Sequence, residues 1–389
     1  MGNVQAQIGR RARVAGFDIE ATKYLGEGGS SFIFLVKDLN GSTSMVLKRL
    51  LADTNASFAW IQAEIDMHKR FHHSQIVEFY GSECISKGRD EREVFILMEF
   101  CPFGHLYDTM KQMQAKRFTE IQVVKLFQSL CVPVQVLHHE DPPVAHRDLK
   151  LENFLLARNK TFKLCDFGSC VIGAQSLLKK EDRLRELEHV AKRTTAMYRS
   201  PELADIEGTA MFGAGELTHA VDMWAMGCIL YTLAFFKAPF PPEGLRTDRY
   251  VIPDTSPYSG NLHTMIARML TADVEKRADI DHIVACCQAI MEEQPLPPLN
   301  ASNALPIKVK DFKRDVAVQP VDLMNFEPLG SSSNAFGVSD APMETFASFA
   351  DFPSACDKAQ SNEKSTGSNA FDPFSDFNGS NALNHRTHN

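Results

Sequence analysis

The pattern of apolar and polar positions predicts strands in the N-terminal part of the chain and helices after it. Residues 24–36 are typical of two strands joined by a glycine-rich turn, residues 45–48 of a third strand, and residues 94–98 of a continuously apolar, buried strand. Residues 121–138 are predicted to form a buried helix that precedes a short apolar strand at 154–156. The chain therefore combines strand-rich and helical parts.

Two further segments have helical patterns. Residues 57–71 carry apolar side chains at helical spacing, and the acidic Glu64 falls on the same inward face. Residues 223–236 form the most apolar long stretch, but it is too short to span a bilayer and is bounded by Asp222 and Lys237. The stretch is therefore predicted to be a buried helix.

Composition narrows the class of protein. The net charge of the 389 residues is −8 and the pI is about 5.9, with no basic stripe, so nucleic acid is not expected as a partner. The nine cysteines show neither a CxxC pair nor zinc-ligand spacing, which favours reduced thiols and a cytoplasmic protein. The first residues lack the apolar segment of a signal peptide.

A polar stretch between a predicted helix and a short strand concentrates the residue types that phosphoryl transfer needs. In the sequence HRDLKLEN, Asp148 can accept a proton from a hydroxyl, Lys150 can lie beside a phosphate, and Asn153 can bind a hard cation. Asp166, in the later sequence CDFG, can chelate the same cation. We therefore predict Asp148 and Lys150 to be catalytic, and Asn153 and Asp166 to be the metal ligands.

The glycine-rich turn is predicted to cover the phosphates of a nucleotide, because glycines let backbone amides approach phosphate oxygens closely. A glycine turn alone is more often an ordinary hairpin, but here Lys48 follows on the next strand. Lys48 is predicted to neutralise the phosphates, with Glu64 holding it in an ion pair; the alternative for Glu64 is a solvated helix charge. The residues predicted to bind nucleotide in this region are Leu25, Gly26, Glu27, Gly28, Gly29, Ser30, Ser31, Ile33 and Lys48.

HRDLKLEN followed by CDFG is the protein-kinase signature, and the chain resembles a eukaryotic protein kinase. The sequences EGG at 27–29, LKR at 47–49, MEFC at 98–101 and IPDTSPYS at 252–259 are similar to those of the Numb-associated kinase family, which includes the adaptor-associated and cyclin-G-associated kinases. The resemblance covers about residues 17–291. It implies an α+β, bilobal fold with a small antiparallel β lobe and a larger helical lobe.

The resemblance also implies ATP and Mg²⁺ as cofactors and transfer of the γ-phosphate to serine or threonine. Lys150, two positions after Asp148, matches the pattern of serine/threonine kinases. In such kinases the backbone of a hinge between the lobes binds adenine. Here the hinge would contain Glu99 and Cys101, and Met98 would be the gatekeeper beside the adenine.

Domain boundaries follow from the resemblance and from composition. We expect a disordered leader at 1–16 and a kinase domain at 17–293. Within the domain, the N-lobe is expected at about 17–98 and the C-lobe at about 104–293. A disordered tail is expected at 294–389.

The activation segment, residues 169–199, has mixed charges and leucine spacing that predict a partly helical, exposed flap. A phosphate on Thr194 or Thr195 could pair with Arg147 and order this segment. Alternatively, Thr195 contacts the catalytic loop and the segment is ordered by its own packing. The family resemblance implies an extra helix within residues 203–216.

Two acidic residues are predicted to have structural roles. By the resemblance, Glu202 in the sequence SPE is expected to pair with Arg277. Asp222 is expected to anchor the backbone of the catalytic loop from a core helix.

The composition changes after residue 293. Aliphatic residues become too sparse for a core, which predicts a disordered tail rich in Ser, Asn and Asp. Isolated Phe residues flanked by acid resemble the motifs that clathrin-adaptor appendage domains bind; the alternative is a solvated tail with an accidental DPF tripeptide. The residues expected to contact adaptors are Phe346, Phe349, Phe352, Phe371, Asp372, Pro373, Phe374 and Phe377.

The N-terminus matches the N-myristoylation pattern in part. Gly2 is in place, but Ala6 stands where Ser or Thr is preferred, so an ordinary disordered leader is the alternative. One acyl chain binds membranes marginally, and Arg10, Arg11 and Arg13 would have to assist. We expect a cytoplasmic protein with peripheral contact at clathrin-coated membranes.

The family resemblance implies a clathrin-adaptor subunit as substrate and a role in endocytosis. The rival hypothesis is a catalytically weak scaffold whose tail recruits adaptors. Inactive relatives of kinases lose the lysine, the catalytic aspartate or the metal-binding aspartate. Because Lys48, Asp148 and Asp166 are all present, the sequence favours an active enzyme.

Overall fold

The computed structural model describes residues 7–28, 31–88, 90–113, 117–213 and 215–299. Within these residues, one large sheet forms an N-terminal lobe and helices form most of a C-terminal lobe. The predictions for Gly2, Gly29, Ser30 and the Phe-rich tail lie outside the described residues.

The N-terminal lobe is built on an antiparallel sheet. Its strands are β1 (Arg11–Val14), β2 (Phe17–Gly28), β3 (Ser31–Asp38), β4 (Ser44–Ala52), β5 (Phe79–Ser86) and β6 (Arg92–Glu99). They lie in the order β1-β2-β3-β4-β6-β5. Alternate residues bury an apolar face, with Phe34 and Val36 of β3 packing beside Met45 and Leu47 of β4.

Strand β1 lies inside the leader that the sequence predicted to be disordered up to residue 16, so that boundary is wrong. Ala12 and Val14 are buried against the sheet, whereas the alternate arginines are exposed. The strand pairs with β2 through Arg11–Glu20 and three further residue pairs. The alternation of exposed arginines with buried apolar residues spans only four residues, which is too short to predict a strand from the sequence.

The predicted helix at 57–71 is α1 (Asn55–Arg70). Thr54 caps its first turn: its hydroxyl oxygen accepts a hydrogen bond from the backbone amide of Ser57, and its own backbone amide donates one to the Ser57 hydroxyl oxygen. Ile61 and Ile65 pack against the sheet. Glu64, on the same face, is thereby buried and directed between the lobes.

The C-terminal lobe is mainly helical. Its principal helices are α2 (Leu106–Gln112), α3 (Glu120–His138), α7 (Ala220–Phe235), α8 (Gly260–Met269) and α9 (Ile280–Met291). They surround one apolar core that includes Phe127, Trp224 and Ile283, all essentially inaccessible to solvent. The predicted buried helix at 223–236 corresponds to α7, and that prediction is confirmed.

Helix α3 is long and apolar enough to cross a membrane by length and composition. However, 61% of its apolar window is buried inside the lobe. A helix that is apolar on most of its surface and covered by neighbours is the central helix of a core. The prediction of a buried helix at 121–138 is thus confirmed.

Short strands carry the loops between α3 and α7. They are β7 (Val144–Ala145), β8 (Phe154–Leu156), β9 (Phe162–Leu164), β10 (Val171–Ile172), β11 (Gln175–Ser176) and β12 (Glu216–Leu217). They pair as β7 with β10, β8 with β9, and β11 with β12. The loop between β7 and β8 contains HRDLKLEN, and the loop after β9 contains Asp166. The predicted fold class, a small antiparallel β lobe with a larger helical lobe, is confirmed.

Three α-helices lie between β11 and α7 in the described part of this stretch, namely α4 (Lys180–Arg193), α5 (Pro201–Ala204) and α6 (Ile206–Phe212). The activation segment is partly helical, as predicted, but it is less exposed than predicted, because Glu186, His189 and Val190 of α4 are buried on one face. Asp205 ends α5 and caps α6 by accepting from the backbone of Gly208. The region expected to hold one extra helix holds α6 and the end of α5.

Candidate active site

A buried carboxylate fixes the backbone of the catalytic loop. Asp222 of α7 accepts hydrogen bonds from the backbone amides of His146 at 2.6 Å and Arg147 at 2.8 Å, which confirms its predicted anchoring role. His138 lies 3.0 Å from the same carboxylate. Arg147 has a φ of +65°, a costly conformation for a residue with a side chain, and these bonds hold it there.

The side chain of Asp148 is held from both sides. Lys150 donates to Oδ2 at 2.7 Å, and Thr195 donates to Oδ1 through its hydroxyl at 2.7 Å and its backbone amide at 2.9 Å. Lys150 also lies 3.0 Å from the Thr195 hydroxyl. Burial, the largest single influence, would lower the pKa of Lys150, but Asp148, Asp166 and Glu152 together outweigh it and raise that pKa. Asp148 is therefore presented as an oriented acceptor for a proton.

Asn153 and Asp166 supply oxygen atoms that fit a hard cation. The Nδ2 of Asn153 donates to the carbonyl of Asp148 at 2.8 Å, which leaves the Oδ1 as the acceptor of that side chain. The backbone carbonyl of Asn153 accepts a hydrogen bond from the backbone amide of Cys165 at 3.0 Å, which connects the catalytic loop to the segment that carries Asp166. Carboxylate and amide oxygens suit Mg²⁺. Within the described residues, no cluster of three or more His, Cys, Asp or Glu could hold a metal instead.

The cation Lys48 links Asp166 to the N-lobe. Its Nζ lies 2.6 Å from Glu64 and 3.5 Å from Asp166. Lys48, followed by Lys150, holds the pKa of Asp166 down at about 2, so this carboxyl is ionised at neutral pH. Burial would lower the pKa of Lys48, but Glu64 and Asp166 outweigh it and raise that pKa.

Packed rings keep Asp166 in this orientation. Phe167 lies in the apolar core, with its ring 4.9 Å from that of His68 on α1, 5.7 Å from Phe71 and 5.8 Å from His146. His68 in turn contacts Phe79 of β5 at 5.3 Å. Burial lowers the pKa of His68, which favours its neutral form in this apolar contact. The column connects the sheet, α1 and the catalytic loop.

The predicted adenine-binding residues lie where the sheet meets the C-lobe. Met98 pairs with Val46 across β6 and β4, so both lie at the roof of the cleft. The Glu99 side chain accepts a hydrogen bond from Lys163 of β9 at 2.6 Å. Burial raises the pKa of the Cys101 thiol to about 12, so the thiol is uncharged.

The predicted phosphate-binding residues that the structure describes lie on the two strands of a hairpin, β2 and β3. Leu25, Gly26, Glu27 and Gly28 end β2, and Ser31 and Ile33 begin β3. Gly28 is paired with Ser31, and Ile33 with Lys48 of the next strand. The structure thus brings Lys48, Glu64, Asp148, Lys150, Asn153 and Asp166 into one site beside this hairpin. The individual roles remain predictions.

A family model described as the protein kinase domain matches residues 19–287. The chain belongs to the protein kinase family. The match spans both lobes of this kinase and includes the catalytic loop, the CDFG sequence and the activation segment. ATP and Mg²⁺ are the cofactors that membership of this family implies.

Several curated protein kinases are similar to this kinase. A probable serine/threonine-protein kinase of Dictyostelium discoideum is 33% identical over 312 residues, which are 78% of this chain and 27% of that protein. A second from the same organism is 33% identical over 291 residues, or 73% of this chain and 35% of that protein. A serine/threonine-protein kinase of Schizosaccharomyces pombe is 32% identical over 294 residues, or 74% and 30%. The kinase spans about a third of the length of these relatives.

Sequence reasoning missed one contact of this kinase site. Arg147 of the catalytic loop donates to Glu186 of α4 at 2.5 Å, not to either activation-segment threonine. The signal was present in the sequence, since Glu186, His189 and Val190 have the i, i+3, i+4 spacing of one helix face. Because most residues of α4 are charged, this buried face was not recognised from the sequence.

The predicted bridge between Glu202 and Arg277 is confirmed. The guanidinium donates to both carboxylate oxygens, at 2.6 and 2.9 Å, and both side chains are buried. Arg277 also donates to the carbonyls of Thr271 and Ala220. These bonds attach the end of the activation segment to the core of the kinase.

Proposed function

We propose that the chain is an active serine/threonine protein kinase that transfers the γ-phosphate of ATP to a protein hydroxyl. The observation that carries the proposal is Lys48, whose Nζ lies near both Glu64 and Asp166. A kinase needs the lysine–glutamate ion pair and the metal-binding aspartate in place together. In this structure the Lys48 ammonium contacts both Glu64 and Asp166, so the ion pair and this aspartate are in place together.

Each residue has a defined part in this chemistry. Asp148 orients the attacking hydroxyl and accepts its proton, and Lys150 beside it neutralises charge on the transferring phosphate. Asp166 and Asn153 would hold Mg²⁺, which neutralises phosphate charge when bound. Lys48 steadies the α- and β-phosphates, and Glu64 keeps Lys48 in position. Positioning and charge neutralisation account for most of the catalysis in phosphoryl transfer.

The choice of serine and threonine rests on Lys150 and on the relatives. Lys150 contacts both Asp148 and the Thr195 hydroxyl, so it closes the catalytic loop against the activation segment. Three of the curated relatives carry serine/threonine-protein kinase in their names. The rival, a catalytically weak scaffold, is disfavoured because Lys48, Asp148 and Asp166, the residues that inactive relatives of kinases lose, are all present.

A peptide-library assay tests the activity. The purified chain is incubated with ATP and Mg²⁺ and with peptides that contain only Ser, only Thr or only Tyr as the acceptor. We expect phosphorylation of the first two sets and none from Asp166→Ala, which loses the proposed main metal ligand. Transfer to tyrosine alone, or equal transfer by Asp166→Ala, would contradict the proposal.

We further propose that the chain is of the Numb-associated type and phosphorylates a clathrin-adaptor subunit at coated membranes. The similar sequences at 98–101 and 252–259 and the Phe and Asp clusters of the tail support this proposal. Burying one Phe ring contributes roughly 1.5–3 kcal/mol, whereas ordering a residue costs about 1–2 kcal/mol. A single motif should therefore bind weakly, and two clusters on one chain should bind through effective concentration.

A pull-down with adaptor appendage domains tests the tail. Phe371→Ala combined with Phe374→Ala should strongly reduce capture, and deletion of residues 331–389 should reduce it further. Activity on a short peptide should stay unchanged in both variants. Phe346→Ala alone serves as a comparison, because it leaves the DPF cluster intact. Undiminished capture of the truncated chain would exclude the tail as the adaptor-binding element.

A further inference from the structure

An indole ring on helix α1 joins this helix to the end of the activation segment. Trp60 is half-buried, and its ring centroid lies 5.7 Å from that of His189 on α4, with the two rings inclined by 46°. The guanidinium carbon of Arg193, the last residue of α4, lies 5.2 Å from the centroid of the same indole. Both distances fall in the range where aromatic pairs and cation–π pairs attract each other. Two side chains of one helix therefore hold Trp60.

The spacing along both helices links this contact to the active site. His189 and Arg193 are four residues apart, so they lie on one face of α4, and Trp60 and Glu64 have the same spacing on α1. Glu64 is buried and lies 2.6 Å from the ammonium of Lys48. A contact that fixes the turn around Trp60 therefore also fixes the helix face that presents Glu64.

Three charged groups converge on the glycine of the CDFG sequence. A Cβ atom placed on Gly168 would lie close to one atom of each group, namely Oε2 of Glu64 at 3.1 Å, Nη1 of Arg193 at 3.4 Å and Oδ1 of Asp166 at 3.5 Å. The next residue, Ser169, donates a hydrogen bond from its hydroxyl to the backbone carbonyl of Arg193. The guanidinium that contacts the indole ring is thus held close to the carboxylates of the proposed active site.

We propose that Trp60 is a positioning residue for phosphoryl transfer, through which α4 keeps the ion pair between Lys48 and Glu64 in place. The inference rests on the proposed kinase activity, which needs this ion pair. A contact that exists only when α1 lies inward raises the population of that arrangement. The contact of Trp60 is of this kind, because it joins α1 of the N-terminal lobe to a helix of the C-terminal lobe. Loss of the ring should therefore lower the fraction of molecules in which the ion pair is formed.

The first arm of the test removes the ring and then restores one. Trp60→Ala should lower kcat about five- to thirty-fold on a peptide mixture with Ser and Thr acceptors, the population shift that two contacts of this strength can produce. Trp60→Phe keeps an aromatic ring and should stay within about three-fold of the wild type. Gln62→Ala is the matched control on the same helix, because Gln62 donates to Asp66 at the exposed surface; its kcat should equal that of the wild type. An equal loss in Trp60→Phe and Trp60→Ala would contradict the role of the ring.

The second arm separates positioning from folding. All variants are assayed well below their melting temperatures, so a side chain that only stabilised the fold would leave kcat unchanged. In a Glu64→Gln background, Trp60→Ala should lower kcat less than two-fold further, because the ion pair that Trp60 positions is already lost. Equal fold-losses from Trp60→Ala in the wild-type and Glu64→Gln backgrounds would overturn the inference. An unchanged kcat in the folded single variant would overturn it as well.

The third arm tests the contact from α4 and does not depend on the folding of Trp60→Ala. Arg193→Gln removes the guanidinium and should lower kcat about two- to ten-fold, a range set by the loss of one cation–π contact. Lys192→Gln is the matched control, because the neighbouring lysine forms an exposed ion pair with Glu188. Equal kcat in these two variants overturns the inference while the proposed kinase function stands. A wild-type protein without activity on the Ser and Thr peptides overturns the proposed function, and the inference with it.

Discussion

Lys48 and Glu64 form a buried ion pair of 2.6 Å between strand β4 and helix α1. The side chains are 16% and 8% exposed, so water screens the pair weakly. The same ammonium lies 3.5 Å from Asp166 and is the main reason for that residue's low pKa. Helix α1, through Glu64, thus contacts the ammonium group that keeps the Asp166 carboxyl ionised.

Replacing Lys48 should affect both catalysis and protonation. Lys48→Met removes the largest cause of the low pKa of Asp166, so this pKa should rise from about 2. We expect kcat to fall at least a hundred-fold, an estimate based on the lost charge neutralisation. The acid limb of the residual activity should move to higher pH. Glu64→Gln, which leaves the lysine in place, should show a smaller fall in kcat.

Asp148 and Asp166 should respond differently to substitution. Asp148→Asn removes the base but leaves the nucleotide cleft intact, so turnover should fall roughly 10²- to 10⁴-fold with ATP affinity retained. Asp166→Ala should abolish transfer and weaken Mg²⁺-dependent ATP binding. Both proteins should melt near the wild-type temperature. Binding is measured by titration with an ATP analogue, and near-normal turnover of Asp148→Asn would refute its assigned role.

The sequence motifs specified the site because each one is local. HRDLKLEN and CDFG lie in loops beside short strands, so their order along the chain already indicates a shared cleft. The pair between Lys48 and Glu64 was also predictable, since both lie in elements with clear periodicity. These predictions needed only the identity of the elements and their order.

The contacts that the sequence did not reveal depend on packing between distant elements. Glu186 is one of several acidic residues on α4, and only the position of Arg147 shows which of them is buried. Strand β1 is four residues long and gains its partners from β2. The boundary between α5 and α6 lies at Asp205, whose side chain caps α6. An aspartate can form such a capping bond or lie within a continuous helix, so the sequence alone did not predict two separate helices.

The bridge between Glu202 and Arg277 should contribute substantially to stability. Glu202→Gln would leave a buried guanidinium without its charge partner, and we expect a loss of about 3 kcal/mol in the free energy of unfolding. Lys276→Gln is the control, because Lys276 forms an exposed pair with Asp273, and this substitution should lower stability far less than Glu202→Gln. Urea unfolding of both variants measures the difference. Equal losses of unfolding free energy in the two variants would show that the Glu202–Arg277 bridge does not stabilise the fold more than an exposed ion pair does.

A buried histidine on α4 should make stability depend on pH. Burial, followed by the charges of Arg147 and Arg193, lowers the pKa of His189 to about 4. An unfolded histidine has a pKa of about 6.5. Between these values the unfolded chain binds the additional proton, so stability must fall as pH decreases from about 6.5 to 4. Above pH 7 the contribution of His189 to stability is constant.

His189→Phe removes this titration and keeps a ring against Trp60. Between pH 7.5 and 5.0, the variant should therefore lose about 2 kcal/mol less stability than the wild type. His139 provides a control of opposite sign. Its hydrogen bond to Asp281 raises its pKa, so its contribution is present at low pH and is lost as pH rises through that pKa. His139→Gln should accordingly lose more stability on acidification than the wild type. Urea unfolding at the two pH values measures all three slopes, and identical slopes for wild type and His189→Phe would show that His189 takes up its proton as readily in the folded chain as in the unfolded one.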